Sequence, residues 1–297
     1  MRTTPSLVSA VFVQLAASAC TRKGISTALD NFFLAAITKQ PLFTAPEVKI
    51  SSNGYPQTSL QSTPYANITW LERPDFKVQA LDVPACQVAR YTVTRQKTST
   101  GGEERALVSV RLALSDDDGP ITELEILNIK NGSHYFFRPD RFEDRTSALY
   151  NSSQAFPLGA NLLQTAVLPR KDIIAVANTY IDGVQTGQKT AVKAGPTCLR
   201  VSNGEIDGSH CDQGLEQFKW PIENRRWIAD LETGIAFGSM IFRGALQTPA
   251  ETGDVVNEFI AVKDGRIREI RAAVAYSKKD IKSAWPEDAT RSYLNAV

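Results

Sequence analysis

Two stretches of this sequence carry apolar residues at three- and four-residue steps, the spacing that sets them on one face of a helix. Near the start these are Ile25, Leu29, Phe32, Phe33, Ala36 and Ile37; near the middle they are Ile173, Ala177, Tyr180, Ile181 and Val184. Two further stretches alternate apolar and polar residues about an Asp-Gly turn, as expected of hairpins in a sheet with one buried and one wet face. The first runs from Leu107 to Leu127 about Asp118-Gly119, the second from Asn257 to Val274 about Asp264-Gly265. Between helix and hairpin, each half has a short segment ending in Asn-Gly, at Asn53-Gly54 and at Asn203-Gly204. The same features recur in the same order at nearly the same separation, which marks an internal repeat. The chain therefore reads as two α+β units, each a long helix against a curved antiparallel sheet. The expected units are residues 20–139 and 170–297, joined by a polar linker at 140–169 that lacks sustained periodicity.

A helix crossing a strongly curved antiparallel sheet encloses a conical pocket. The order of helix, Asn-Gly segment and strands, with the turn Lys263-Asp264-Gly265-Arg266-Ile267, resembles tandem NTF2-like (SnoaL-like) α+β cones. The chain is also similar to a fungal family of secreted proteins known as a domain of unknown function. Asp30 to Ala36, Val110 to Leu112, Ile121 to Glu125, Cys198 to Gly204, Arg226 to Gly234 and Glu258 to Ile267 carry this likeness. The resemblance implies a cofactor-independent small-molecule enzyme of fungal secondary metabolism, of cyclase or dehydratase type. It extends to the hetero-Diels-Alderases of tropolone-sesquiterpene biosynthesis, which join a polyketide-derived quinone methide to a terpene. The implied partner is a small hydrophobic molecule. Dehydratases and isomerases of the superfamily often use an Asp-His pair on helix and sheet, and this chain shows no such pair at a recognisable place. The alternative is a secreted, non-catalytic ligand-binding or structural protein. An enzyme predicts a deep, largely apolar cavity with a few converging polar groups, whereas a structural module predicts filled cones.

The first residues add a compartment. Arg2, the apolar run Leu7 to Leu15 and the small residues Ala17-Ser18-Ala19 have the order of a secretory signal peptide, covering residues 1–19. The chain has 33 basic and 32 acidic residues, and removing Arg2 leaves 32 minus 32, a mature charge of zero. Neither a basic excess nor a basic stripe is present to attract nucleic acid, and no later apolar run is long enough to span a membrane. In an oxidising compartment Cys20, Cys86, Cys198 and Cys211 argue for two disulfides, although four cysteines allow three connectivities. Cys198 and Cys211 flank one polar loop, so local pairing is economical and leaves Cys20 for Cys86. Sequons at Asn67, Asn131 and Asn151 are expected at glycan-accessible surface positions.

Candidate chemistry is sparse. There is no Gly-x-Ser-x-Gly elbow, phosphate-binding loop, His-Glu-x-x-His or dinucleotide fingerprint, so no cofactor is expected. His210 beside Cys211 is the only hint of a metal ligand, and no metal site is expected. His134 is one of two histidines and titrates near neutral pH when unperturbed. Asp230 and Glu258 fall on predicted strands and become raised-pKa acids if they point inward. Tyr65, Trp70 and Trp227 are the aromatic candidates for a pocket rim. Arg243, with Arg225 and Arg226, offers planar forks for an oxyanion. The oligomeric state is not encoded in any of these features.

Overall fold

A computed structural model describes residues 20–72, 78–142, 168–208, 210–243 and 253–277. The protein is an α+β chain of two tandem cones, each a 17-residue helix laid across its own sheet. In the first cone, α1 (Arg22–Thr38) is followed by β1 (Thr44–Ser52), β2 (Tyr55–Gln57), β3 (Ile68–Leu71), β4 (Val78–Asp82), β5 (Gln87–Lys97), β6 (Glu103–Leu114) and β7 (Ile121–Ile129). A single helical turn, α2 (Pro139–Phe142), follows. The second cone opens with α3 (Arg170–Thr186) and continues through β8 (Ala194–Ser202), β9 (Glu205–Ile206), β10 (Ile222–Asp230), β11 (Ile235–Arg243), β12 (Gly253–Lys263) and β13 (Arg266–Ser277).

The strand orders, β2-β1-β7-β6-β5-β3 and β9-β8-β13-β12-β11-β10, superpose the two halves element on element, with β4 adding to β5 in the first. In each half the first strand runs parallel to the last, and every other pairing is antiparallel. The Asn-Gly segments do equivalent work. Asn53 and Asn203 both take the left-handed conformation, with φ of 49° at each. Asn53 bonds the main chain of Asn128, and Asn203 bonds that of Val274. An Asn side chain tolerates this conformation and satisfies backbone groups left open at the turn.

Each helix buries its predicted apolar stripe against the concave face of its sheet. Ile25, Leu29, Phe32 and Phe33 fill one cone, and Ile173, Ala177, Tyr180 and Ile181 line the other. A third core lies between the cones, where the outer faces of the two sheets meet. Tyr91, Leu107 and Leu127 of the first sheet pack there against Phe237, Phe259 and Ala273 of the second. Phe142, which falls at the start of the expected linker, is fully buried in this layer, 4.4 Å from the Tyr91 ring. Both faces of each sheet are therefore buried, which explains why β5, β6, β11 and β12 are covered along most of their length.

Reciprocal ion pairs close the joint with near-twofold symmetry. Arg22, the first residue of α1, grips Asp230, the last of β10, at 2.6 and 2.9 Å. Arg170, the first residue of α3, grips Asp82, the last of β4, at 2.8 and 2.9 Å. The Leu81 amide donates to Asp230, and the Ala229 amide donates to Asp82. A third link joins Arg226 to Glu125, which Arg111 also holds at 2.8 Å. These bonds satisfy carboxylates that would otherwise be costly to bury.

Disulfides join Cys20 to Cys86 and Cys198 to Cys211, the expected pairing. Cys20–Cys86 ties the start of α1 to the head of β5, and Cys198–Cys211 closes a loop beside β8. Removing the second bridge by Cys198→Ser with Cys211→Ser is expected to cost about 3 kcal/mol in chemical denaturation, because the enclosed loop is short. Asn67 and Asn131 are exposed, while Asn151 lies outside the described residues, as does the expected signal segment 1–19. Among the described residues no helix is long and apolar enough to cross a membrane.

Candidate active site in the second cone

The second cone holds a cavity of about 120 Å³ between α3 and the concave face of its sheet. Strand alternation sets its wall. On β12, Asp254, Val256 and Glu258 point inward, while Asn257 between them points the other way and donates to Ser109 of the first cone. On β13, Ala272, Val274 and Tyr276 face the cavity by the same two-residue period. Tyr180 enters from the helix, Arg200 from β8, and Phe218, Trp220 and Phe242 close one side. The mouth is covered by His134, Tyr135 and Phe136, which leave the first cone after β7. The Tyr276 amide donates to the Ser133 carbonyl, and Asn203 bonds the Phe136 carbonyl, so this segment is fastened onto the second cone.

Glu258 is 2 % exposed, and its Oε2 has no hydrogen-bond partner among the described residues. Burial pushes its pKa up to about 8, with Arg200 and Arg225 opposing this only weakly, so the group is mostly protonated at neutral pH. Asp254, also buried, is pushed up to about 7 by burial. His134 goes the other way: burial lowers it to about 4, and its Nδ1 accepts the Phe136 amide at 3.2 Å. His134 is therefore a neutral imidazole whose Nε2 carries the proton. Arg200 lies 2.9 Å from the Asp207 carboxylate and donates to the Tyr180 hydroxyl and to the Cys211 and Gln213 carbonyls, each at 3.3 to 3.4 Å. Burial raises the Tyr180 phenol, which stays a neutral donor.

The internal repeat shows what distinguishes this cone. Counting along the helices, Tyr180 occupies the place of Phe32. Counting back from the Ser before each Asn-Gly, Arg200 occupies the place of Ile50. Through strand register, Glu258 stands where Val110 stands and Asp254 where Ala106 stands. Phe32, Ile50, Ala106 and Val110 all belong to the packed apolar core of the first cone. One copy keeps an apolar interior, and the other places four polar groups at the same positions around a cavity.

Of the expected site residues, His134 and Glu258 come together here. The others do not line this cavity, and each has a physical reason. Asp230 is fully buried but is consumed by Arg22 and three backbone amides at the joint. Tyr65 packs in the first cone, 5.0 Å from Phe32. Trp70 is 59 % exposed on the edge strand β3. Trp227 is a core plug whose ring fills the space a side chain at Gly238 would need. Arg243 pairs with Glu223, Arg225 with Asp182, and Arg226 with Glu125. His210 is held at both nitrogens, by Asp212 at 2.5 Å and the Gly195 carbonyl at 2.8 Å, so neither lone pair is offered to a metal. Trp70→Ala is accordingly expected to leave small-molecule binding by this cavity unchanged within about twofold, measured by titration calorimetry.

Sequence reasoning did not single out Tyr180, Arg200, Asp254 or Tyr276 as site residues. Comparing the two halves position by position is the signal that would have found the first three, because each replaces an apolar residue of the other copy.

A family model for a domain of unknown function, DUF8021, matches residues 166–274, which span the second cone. No curated protein matches the sequence. Among solved structures, a Kribbella flavida protein assigned as a ketosteroid isomerase is similar with a TM-score of 0.32 and 15 % identity, over 39 % of this chain and 86 % of that one. PrhC from Penicillium brasilianum gives 0.31 and 11 %, over 36 % and 81 %. An NTF2-like protein from Burkholderia xenovorans gives 0.29 and 15 %, over 41 % and 98 %.

Proposed function

We propose that the second cone is a cofactor-independent acid–base site acting on a small, largely apolar molecule, in a dehydration or isomerisation. The observation that carries this reading is Glu258, a buried carboxyl with an unpartnered oxygen facing a cavity and a pKa near neutrality. A group so poised gives a proton to a substrate oxygen and takes one back within the same cycle. Tyr180, polarised by Arg200, supplies a second donor for a developing oxyanion. The aromatic and aliphatic wall excludes water and fixes orientation.

The cavity volume bears on substrate size. A cavity of about 150 Å³ accommodates benzene, so about 120 Å³ holds no more than a single small ring, with any remaining part of a ligand lying in the mouth. This favours rearrangement of a single compact substrate over the joining of a quinone methide to a terpene, which needs room for two partners. Secretion through the signal segment, glycans at the three sequons, a division into units at residues 140–169 and a place in fungal secondary metabolism are parts of the same proposal. The two disulfides support its secretory element. The second reading, a non-catalytic secreted binding protein, is favoured by the tethered segment over the cavity mouth, which would slow exchange. Turnover of a panel of small cyclic β-hydroxy ketones and enones by the wild type and by Glu258→Gln separates the two. Loss of activity in the variant supports catalysis, and binding without turnover in both supports the second reading.

A further inference from the structure

We propose that the second-cone cavity binds a small organic ammonium ion, of arylalkylamine size, held by the Asp254 and Glu258 carboxyl groups among aromatic side chains. This rests on reading the cavity as the functional site and goes beyond the proposed reaction: paired with an ionised carboxyl, the amine occupies the site without being its neutral substrate.

The two acids share the inward face of β12 and are 4 % and 2 % exposed. Asp254 Oδ1 and Glu258 Oε2 are both buried without a hydrogen-bond partner among the described residues. An unmet buried acceptor is destabilising, and a ligand carrying N–H donors removes that cost.

The nearby cations are already engaged. Arg200 faces Asp207 at ion-pair distance and donates to Tyr180 and to two backbone carbonyls. Arg225, the other guanidinium whose field reaches Glu258, is held by Asp182 and Asn178 of α3. His134 is neutral, and Tyr135, pushed up to about 12, is neutral as well. Among the described residues the cavity therefore offers two carboxyls and no uncompensated positive charge, so an anionic ligand finds no counter-charge and a cationic one is matched once a carboxyl gives up its proton.

Aromatic faces complete the site. At the mouth, His134 lies 4.7 Å from Tyr276 and 4.3 Å from Tyr135, and both tyrosines feel the Asp254 charge. Trp220 and Phe218, 4.6 Å apart, form another wall. Ring faces attract ammonium groups, more strongly when desolvated. The proton balance is simple. Below neutral pH the ammonium enters charged and both carboxyls enter largely protonated; one gives its proton to solvent and forms the ammonium–carboxylate pair, and the other keeps its proton and accepts an N–H through its carbonyl oxygen. No covalent bond to the ligand forms or breaks.

The test is titration calorimetry of the mature full-length chain at pH 6.5 with benzylamine, benzyl alcohol and benzoate, each in two buffers of different ionisation enthalpy. Benzylamine is expected to bind at least about tenfold more tightly than benzyl alcohol and to release up to about one proton, with benzoate weakest. Asp254→Asn and Glu258→Gln should each weaken benzylamine more than benzyl alcohol, bringing the amine-to-alcohol affinity ratio from about tenfold toward one, which a folding defect, weakening both alike, would not do. Equal affinity for amine and alcohol without proton release, or a preference for benzoate, overturns the amine inference and leaves the cavity reading standing. Binding of none of the three overturns both.

Discussion

Glu258→Gln is expected to lower turnover by about 10²- to 10⁴-fold, the range for removing a general acid or base, while the protein stays folded. Gln keeps the shape of the side chain and a hydrogen-bonding head, so the cavity wall is preserved and only the transferable proton is lost. The fall should therefore lie in kcat, with KM changed little, because the interaction removed belongs to the transition state. The same substitution has a thermodynamic signature. The folded pKa of Glu258 is about 8 against an ordinary value of 4.5, so between these limits the folded state holds a proton that the unfolded state has released. Stability then falls as pH rises through this window, by on the order of a few kcal/mol for a fully buried group. Asp254 acts with the same sign up to about pH 7. His134, lowered to about 4, acts with the opposite sign between about 4 and its unfolded value near 6.5. Above about pH 7 the decline carries Glu258 together with His210, held up against burial by its bonds to Asp212 and Gly195, so the Glu258 share is the amount by which Glu258→Gln flattens the wild-type slope between about pH 7 and 8. An unchanged slope in denaturant titrations, together with unchanged turnover, would remove Glu258 from the mechanism.

Asp230→Ala is expected to destabilise the protein by about 3 to 5 kcal/mol, the cost of breaking a buried, hydrogen-bonded ion pair from one side. The substitution removes the buried partner of Arg22, which keeps only Glu232, and leaves the Leu81, Glu232 and Thr233 amides without their acceptor. Asp82→Ala should cost a similar amount through Arg170 and the Ala229 amide, because the two clamps are mirror uses of one arrangement. Neither change should alter ligand affinity of the surviving folded protein by more than a few-fold. A loss below about 1 kcal/mol for both, the level of an exposed pair, would mean that the cones are not clamped at this joint.

Much of the architecture was legible because it depends on periodicity. The helix stripe from Ile25 to Ile37 and the alternation around Asp118-Gly119 and Asp264-Gly265 announce helix and hairpin without any tertiary information. The Asn-Gly segments fix where each half begins to repeat. The joint was not legible in the same way. Alternation predicts one buried face per sheet, whereas Tyr91, Phe237 and Phe259 bury the second face as well, and which two faces meet depends on long-range packing. The same limit governed the acids. Asp230 and Glu258 look alike in sequence, each on a strand among apolar neighbours, but the first points into the joint and the second into the cavity. Trp70 looked like a rim residue and is exposed, because β3 is the short edge strand of its sheet. The tyrosines at the mouth were hidden for another reason: Tyr135 belongs to the first half of the sequence and closes a cavity in the second.

The most direct test of the account is the titration of the Glu258 carboxyl itself, by ¹³C NMR of glutamate-labelled protein with Glu258→Gln to assign the resonance. A midpoint near 8 for the assigned resonance, shifted downward when benzylamine is added, is the predicted result. A midpoint near 4.5 would mean that the carboxyl is solvated or paired, and would contradict the reading of the second cone as an acid–base site.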